Sequence, residues 1–565
     1  MSDTAHIADN VLSLLHHVHA PAADCVAPFL PRLFAALADG HTFIYLNKEE
    51  TAQLARAQPI VGADAQSPLV LYRNRLFLAK FWQLEQHLAR EIHRLSHYRR
   101  LPERWDFIQQ QLQAWFADSG SQDQQAAAAL TLLHNFMLIS GGPGTGKTTT
   151  VAKLLALLCH DTLPRIALAA PTGKAAARMS EALKNAVTRI DGLPESTAAH
   201  LRQLNGQTVH RLLALTPPQM LPEYDADNRL PLDILIVDEA SMLDLYLLHQ
   251  LLQALPNSCR VILLGDENQL PSVSAGAVLS ALMQSSAALP EPMVRELQQL
   301  LPSIQLRHLR QGTAKLTISH RFGAESGIGC LARAVVSGEA EQAWQQFTQF
   351  PQTLSHHQHD IAHIAQQLYR AHQAYWQAID DNHLDRAFAH QADVLVLSAQ
   401  RADAHALNQA YLQQLHQHRR AHPDQPWFKG QMLIITRNDP STQLYNGDVG
   451  IVLPHEYGLA AWFPDTAYRF RPIALSRLPE HENAFTLTVH KSQGSEYREI
   501  WFLPPTQRQD DDFSRALLYT AITRAKEKFV YCGNKSSFQK ACNTPDKRRS
   551  ALNEWLTQIQ GDLFV

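Results

Sequence analysis

No two of the six cysteines form a C-x-x-C pair; Cys25, Cys159, Cys259, Cys330, Cys532 and Cys542 are scattered along the chain. That spacing excludes a disulfide framework, a structural zinc and an iron–sulfur cluster, and it fits a reducing cytoplasm. An uninterrupted run of 18 apolar residues is also missing, and residues 1–20 carry Asp3 and Asp9 without a basic start. Neither export nor a membrane span is therefore expected. Charge of one sign is not in excess: 50 Lys and Arg face 53 Asp and Glu, a formal net charge of −3. Any contact with a polyanion must come from a local basic groove. Repeats of fixed period and long low-complexity runs are absent, which excludes a solenoid. What is present is a globular balance, 45% hydrophobic and 18% charged over 565 residues, enough for about three or four domains. The 29 histidines read as surface polar residues for the most part, with protonation below about pH 6.5 able to turn the net charge positive.

Residues 22–115 place Leu, Ala, Gln, His and Arg at helical spacing, as in Phe77-Leu78-Ala79-Lys80-Phe81-Trp82-Gln83-Leu84. Residues 1–115 are expected to form a mostly helical N-terminal domain for docking, without a catalytic signature. From Gln124 the pattern changes to short apolar runs that end in Gly- or Asp-containing turns: 136–140, 165–170, 232–237 and 260–264. Runs of this kind are buried parallel strands of βαβ units. A second set begins near Leu316, with strands expected at 394–397, 486–489, 500–503 and 529–532. The expected fold is α/β with two cores, at 116–305 and 306–565, and a cleft between them. Residues 430–484 differ, with Met432-Leu433-Ile434-Ile435 and Val449-Gly450-Ile451-Val452 on either side of the turn Tyr445-Asn446-Gly447-Asp448; they suggest a small β-barrel insertion. Residues 216–231, holding Pro217, Pro218, Pro222 and Pro231, read as a loop or edge hairpin.

The chemistry starts at Gly141-Gly142-Pro143-Gly144-Thr145-Gly146-Lys147-Thr148, followed by Thr149. This is G-x-x-x-x-G-K-[ST] between a strand and a helix, the context of a phosphate-binding loop. Glycines let backbone N–H groups converge on phosphate oxygens, Lys147 adds a point charge at the β/γ-phosphates, and Thr148 offers a hydroxyl to Mg²⁺. Asp238-Glu239 ends the run 234–237. Asp238 suits Mg²⁺ coordination and Glu239 suits activation of the attacking water; a solvated acidic turn is the alternative. Gly265-Asp266-Glu267-Asn268-Gln269 places Gln269 where an amide senses the γ-phosphate.

Through these residues the chain resembles superfamily 1 helicases of the 5′ to 3′ branch, and within it the α-subunit family of bacterial exodeoxyribonuclease V. The resemblance spans about 124–533. Gln124 resembles the adenine-reading Q motif; Ala170-Pro171-Thr172-Gly173-Lys174, Thr208-Val209-His210, Ser319-His320-Arg321, Thr488-Val489-His490-Lys491-Ser492-Gln493-Gly494-Ser495-Glu496 and Tyr519-Thr520-Ala521-Ile522-Thr523-Arg524 follow in the family's order. The resemblance implies two RecA-like P-loop cores, an SH3-like insertion at 430–484 and a duplex-splitting pin at 216–231. It implies Arg321 and Arg524 as fingers that complete ATP hydrolysis when the cleft closes, Gly494 and Glu496 at the nucleotide, with Glu496 on its ribose, and Pro171, Thr172, Lys174, Thr208, His210, Thr488, His490 and Lys491 on the DNA strand. It further implies ATP and Mg²⁺ as cofactors, single-stranded DNA and double-stranded DNA ends as substrates, RecB-like and RecC-like partner subunits in a heterotrimer, a role in double-strand-break repair by homologous recombination, and a cytoplasmic location. Leu71-Tyr72-Arg73-Asn74-Arg75-Leu76 carries the resemblance into the N-terminal segment. Two other readings stay open: a stand-alone helicase of the same branch acting on DNA or RNA, and a non-motor ATP-binding scaffold. Ser355-His356-His357-Gln358-His359-Asp360 lies in a polar Gln/His stretch and reads as solvated surface rather than a metal site.

Overall fold

The computed structural model describes residues 2–561 apart from 97–104, 119, 161, 216–220, 273, 285–286, 303, 305–308, 324–325, 359, 440, 457, 465–469, 507–512 and 547. Four sheets organise it. The first, in order β1-β4-β3-β2, is built from β1 (Phe43–Tyr45), β2 (Val61–Gly62), β3 (Leu69–Tyr72) and β4 (Arg75–Leu78). The second is wholly parallel in order β10-β5-β9-β8-β6-β7. Its strands are β5 (Phe136–Gly141), β6 (Ile166–Ala170), β7 (Gly206–Thr208), β8 (Ile234–Val237), β9 (Arg260–Gly265) and β10 (Thr313–Leu316).

A parallel sheet is covered on both faces, so its central strands β5, β8 and β9 are nearly continuous apolar runs, and alternation decides which core each side chain enters. Phe136, Leu138, Leu235, Val237, Val261 and Leu263 enter one core with Val70, Phe77, Leu88, Ala551 and Trp555. Met137, Ile139, Ile234, Ile236, Ile262 and Leu264 enter the opposite core with Ala129, Leu155, Met179 and Leu183. The first face is thus closed by the N-terminal segment and by the last helix of the chain, the second by the helices Gln122–Leu133, Lys147–Leu158 and Gly173–Val187.

The third sheet, also parallel, runs β11-β20-β19-β12-β18. It holds β11 (Leu354–His356), β12 (Val394–Ser398), β18 (Thr486–Thr488), β19 (Tyr497–Leu503) and β20 (Ala525–Tyr531). Between β12 and β18 comes an antiparallel five-stranded sheet, β16-β15-β14-β13-β17, made of β13 (Met432–Ile435), β14 (Val449–His455), β15 (Gly458–Pro464), β16 (Phe470–Ala474) and β17 (His481–Asn483). Its small core comprises Leu433, Ile435, Val452, Ala461 and Phe463.

Four expectations need correction or completion. The expected start of a second set of strands near Leu316 fails, because Thr313–Leu316 pairs with β5 and belongs to the first parallel sheet; the expected border at 305–306 itself lies outside the described residues. The stretch 306–565 also does not stay in the second lobe. Helix Leu552–Gly561 returns to pack on helix Ala79–Leu95, where Arg75 makes a bidentate pair with Glu554, both bonds 2.7 Å. Residues 1–115, though largely helical, contain the sheet β1–β4. Of the expected pin, 216–220 lie outside the described residues, and 221–231 hold a turn in which Asp225 accepts from the N–H groups of Asp227 and Asn228. Glu85, fully buried, ties the two ends of the chain together: it accepts from Thr42 Oγ1 at 2.9 Å, Ser550 Oγ at 2.6 Å and Ala551 N at 3.1 Å.

Candidate active site

Parallel strands present their C-terminal ends on one edge, and in open α/β sheets that edge carries the ligand crevice. Here it gathers the phosphate loop after β5, Pro171 to Lys174 after β6, Thr208 and His210 after β7, Asp238 and Glu239 after β8, and Gln269 after β9. The edge opens into a cavity of about 240 Å³ lined by Lys147, Thr148, Asp238, Glu239, Arg321 and Arg524, with Gln269, Gly494 and Glu496 on its wall. Residues read separately from the sequence as catalytic groups therefore share one cleft.

The loop is shaped by glycine. Gly144 and Gly146 adopt φ of +75° and +81°, and a Cβ on Gly146 would lie 2.4 Å from Gln124 Nε2, so only glycine fits there without strain. Gln124, buried, donates to Thr145 O at 3.0 Å and lies 3.0 Å from His320 Nε2. Thr145 Oγ1 donates to Gly142 O at 2.9 Å, and Lys147 Nζ donates to Gly141 O at 2.5 Å and Gly142 O at 3.3 Å. Pro143 O accepts from Ser319 Oγ at 2.9 Å and Gly144 O from His320 N at 2.8 Å, so the segment bearing Arg321 lies directly on the loop. Thr148 and Thr149 open the helix Lys147–Leu158, Thr149 exposed.

Asp238 and Glu239 are half-buried and line the cavity. Glu239 takes φ +52°, and its N–H donates to Asp238 Oδ1 at 2.8 Å. Burial, then the neighbouring Glu239 charge, pushes the Asp238 carboxyl upward, with Lys147 opposing. A buried acid pair of this kind is relieved by a cation.

The far wall is a hydrogen-bonded lattice between the turn after β9 and the helix Arg515–Thr523. Arg524 Nη2 donates to Gln269 Oε1 at 2.8 Å and its Nη1 to Ser495 O at 3.2 Å. Gln269 Nε2 donates to Asp266 Oδ2 at 3.1 Å, which also accepts from Tyr519 OH at 2.8 Å. Leu270 N donates to Thr520 Oγ1 at 2.9 Å, and Gln493 Nε2 to Leu270 O at 3.0 Å. Glu496 meets Arg321 Nη1 at 2.8 Å and also Arg178. Burial alone would raise its carboxyl; the guanidinium groups of Arg178 and Arg321 outweigh burial and hold it at about 2.

The expected strand contacts are placed less uniformly. Thr172 and Thr208 use their hydroxyls to cap helices, accepting from Ala175 N at 3.3 Å and Arg211 N at 3.1 Å. Lys174 is exposed and Pro171, His210 and His490 half-buried. Lys491 pairs with Glu482 of β17 at 2.6 Å. Thr488 is buried, so its side chain does not stand on the surface with the others. Among the described residues no group of three or more His, Cys, Asp or Glu is arranged to hold a metal ion; of the stretch 355–360, His359 lies outside the described residues. Sequence reasoning missed Arg178 and Asp266 on the wall, and Tyr519 and His320 behind it, bonded to Asp266 and Gln124. Arg178 stands four positions after Lys174 on one helix, a spacing that puts both on one face.

Two parallel lobes with a phosphate loop, an acidic pair and two arginines in one cleft define a P-loop ATPase of the two-lobed helicase class. Residues 124–275 match the family model of an AAA domain and residues 483–531 that of a UvrD-like helicase C-terminal domain. The chain is 31% identical over 535 residues to the RecBCD enzyme subunit RecD of Haemophilus influenzae, covering 87% of this chain and 82% of that one. It is 34% identical over 524 residues to the RecD subunit of Mycobacterium tuberculosis, covering 88% and 82%. An ATP-dependent RecD2 DNA helicase of Deinococcus radiodurans shares 28% identity over 451 residues, 78% of this chain and 53% of that one. The chain belongs to the RecD family.

Proposed function

We infer that this chain is an ATP-dependent 5′ to 3′ translocase on single-stranded DNA and a DNA helicase, working as the RecD-type subunit of a RecBCD-type nuclease-helicase in double-strand-break repair. One observation carries the motor reading: Arg321 and Arg524 line the same cavity as Lys147, Asp238 and Glu239. Hydrolysis of ATP spreads charge over the γ-phosphoryl oxygens, and stabilising that charge takes cations delivered from both sides. Lys147 serves from the first lobe, Arg524 from the second, and Arg321 from the segment joining them. Glu239 orients and deprotonates water, and Gln269, bonded to Arg524, links the state of the γ-phosphate to the second lobe. Thr148 and Asp238 are the residues that would hold Mg²⁺, which supplies charge neutralisation at the phosphates. Closure on ATP and opening after hydrolysis would alternate two grips on the strand. Polarity and the heterotrimer are supported by family membership, as are RecB-like and RecC-like partners.

The remaining assignments belong to the same reading. Residues 1–115 dock on the partners, 216–231 form the pin, 430–484 the SH3-like insertion, and Pro171, Thr172, Lys174, Thr208, His210, His490 and Lys491 contact phosphates, which carry no base information and so suit a motor that moves along any sequence. No single helix among the described residues is long and apolar enough to cross a membrane; we place the protein in the cytoplasm. The test is Lys147→Gln in the assembled complex: ATPase stimulated by single-stranded DNA and unwinding from 5′ overhangs should both fall by at least about 100-fold. Unwinding by the complex left untouched by the substitution would favour a passive scaffold. Copurification with two large partners separates a subunit from a stand-alone helicase.

A further inference from the structure

Arg178 belongs to no motif that the chain's chemistry has used so far, yet it stands in the ATP cleft. It projects from the helix Gly173–Val187 of the first lobe and lines the cavity with Lys147, Thr148, Asp238, Glu239 and Arg321. Its guanidinium pairs with Glu496 Oε1, which follows β18 in the second lobe, and its Nη1 lies 3.5 Å from Gly494 O. Arg321 Nη1 meets the same carboxylate oxygen at 2.8 Å, and Lys526 Nζ lies 3.8 Å from Oε2. One carboxylate thus organises three cations, of which Arg178 and Arg321 line the cavity. Arg321 Nη1 is buried, with the Glu496 carboxylate compensating its charge; a single carboxylate shared with Arg178 leaves further guanidinium N–H groups for an incoming oxyanion. Two guanidinium groups converging on one oxygen also mark a place where planar, multidentate recognition of oxyanions is built in.

Resting on the ATP-site reading above, we propose that Arg178 is a further phosphate-binding residue, reaching the terminal phosphate of the nucleotide from the first lobe as the counterpart of Arg321, with Glu496 holding the two side by side. Arg178 then does two jobs with one group. Its contact with Glu496 joins the lobes across the cleft, and its contact with phosphate makes that junction depend on a triphosphate. A diphosphate, lacking the terminal group, leaves Arg178 on Glu496 alone.

Binding of fluorescent methylanthraniloyl derivatives of ADP and of a non-hydrolysable ATP analogue to the full chain, with Mg²⁺ present, tests this apart from turnover. Arg178→Ala should weaken the triphosphate analogue about tenfold, the loss of one charge-assisted contact, and ADP less than about twofold. Arg178→Lys should recover part of the loss, since it keeps the charge without the fork; Arg178→Gln, close in volume, guards against a packing artefact and should behave as Ala does. Equal weakening of both ligands, or of neither, in Ala and Gln variants overturns the proposal while leaving the ATP site standing. Failure of the unaltered chain to bind either ligand would instead remove the ATP-site reading on which it rests.

Discussion

Glu85→Ala should release the end of the chain. The Glu85 carboxylate, with no exposed surface, takes hydrogen bonds from two hydroxyls and from Ala551 N, just before the helix Leu552–Gly561. Thr42 Oγ1 has a second acceptor in Arg549 O at 3.2 Å, but among the described residues Ala551 N has no acceptor besides the two Glu85 oxygens. Stranding that donor and emptying the side-chain volume costs about 3 kcal/mol. The size depends on pH. Burial raises the Glu85 carboxyl from 4.5 to about 7 against the bonds from Ser550, Thr42 and Ala551, so the folded chain holds the proton more tightly than the unfolded one. Its contribution is fully present below about pH 4.5 and is lost as pH rises through about 7, a change on the order of 3 kcal/mol. The penalty of Glu85→Ala should therefore be about 3 kcal/mol at pH 5 and under about 1 kcal/mol at pH 8. Hydrogen exchange reads it directly: amides of 552–561 should lose about two decades of protection in the variant at pH 5, relative to the unaltered chain, and little at pH 8. Equal protection in both chains at pH 5 would refute the reasoning, as would a penalty that grows with pH.

Arg524→Ala should lower ATPase by at least about 100-fold while changing ATP-analogue affinity less than about fivefold, since the finger acts on transition-state charge; comparable losses in both would move it to ground-state binding. Gly146→Ala should abolish nucleotide binding in an otherwise folded chain, because φ of +81° and the approach of Gln124 leave no room for a Cβ; calorimetric titration with ADP checks it. Thr488→Val should leave single-stranded DNA affinity within about twofold, given the burial of its side chain, and a larger fall in fluorescence anisotropy would put that hydroxyl on the strand.

Much of the site was legible because its constraints are local. A loop that wraps phosphate needs glycine at fixed offsets, and Gly144 and Gly146 do take positive φ. Strands buried on both faces read as unbroken apolar runs, so β5, β8 and β9 stood out within a residue or two of their observed ends. The sheet β1–β4 stayed hidden because strands of two to four residues are too short to show a period of two. Its tight turn also uses Arg73 and Asn74 at φ +47° and +58° rather than Asn-Gly, which removes the usual signal. The assignment of β10 to the first sheet and the return of the last helix depend on pairings distant in sequence, such as Glu85 with Ala551, 466 positions apart. No periodicity encodes such partners.

The return of the chain to its first lobe has a mechanical corollary. Two threads join the lobes, one leaving after Leu316 and the other arriving before Ala551, so the second body is hung at two points instead of one. An object suspended in this way rocks about the line through its attachments and resists sliding or spinning. One attachment lies on the phosphate loop, which Ser319 and His320 touch; at the other, Arg548 bonds the carbonyl of Ser272, three residues beyond Gln269. Rocking of this kind would work on the seam where Arg524 meets Gln269.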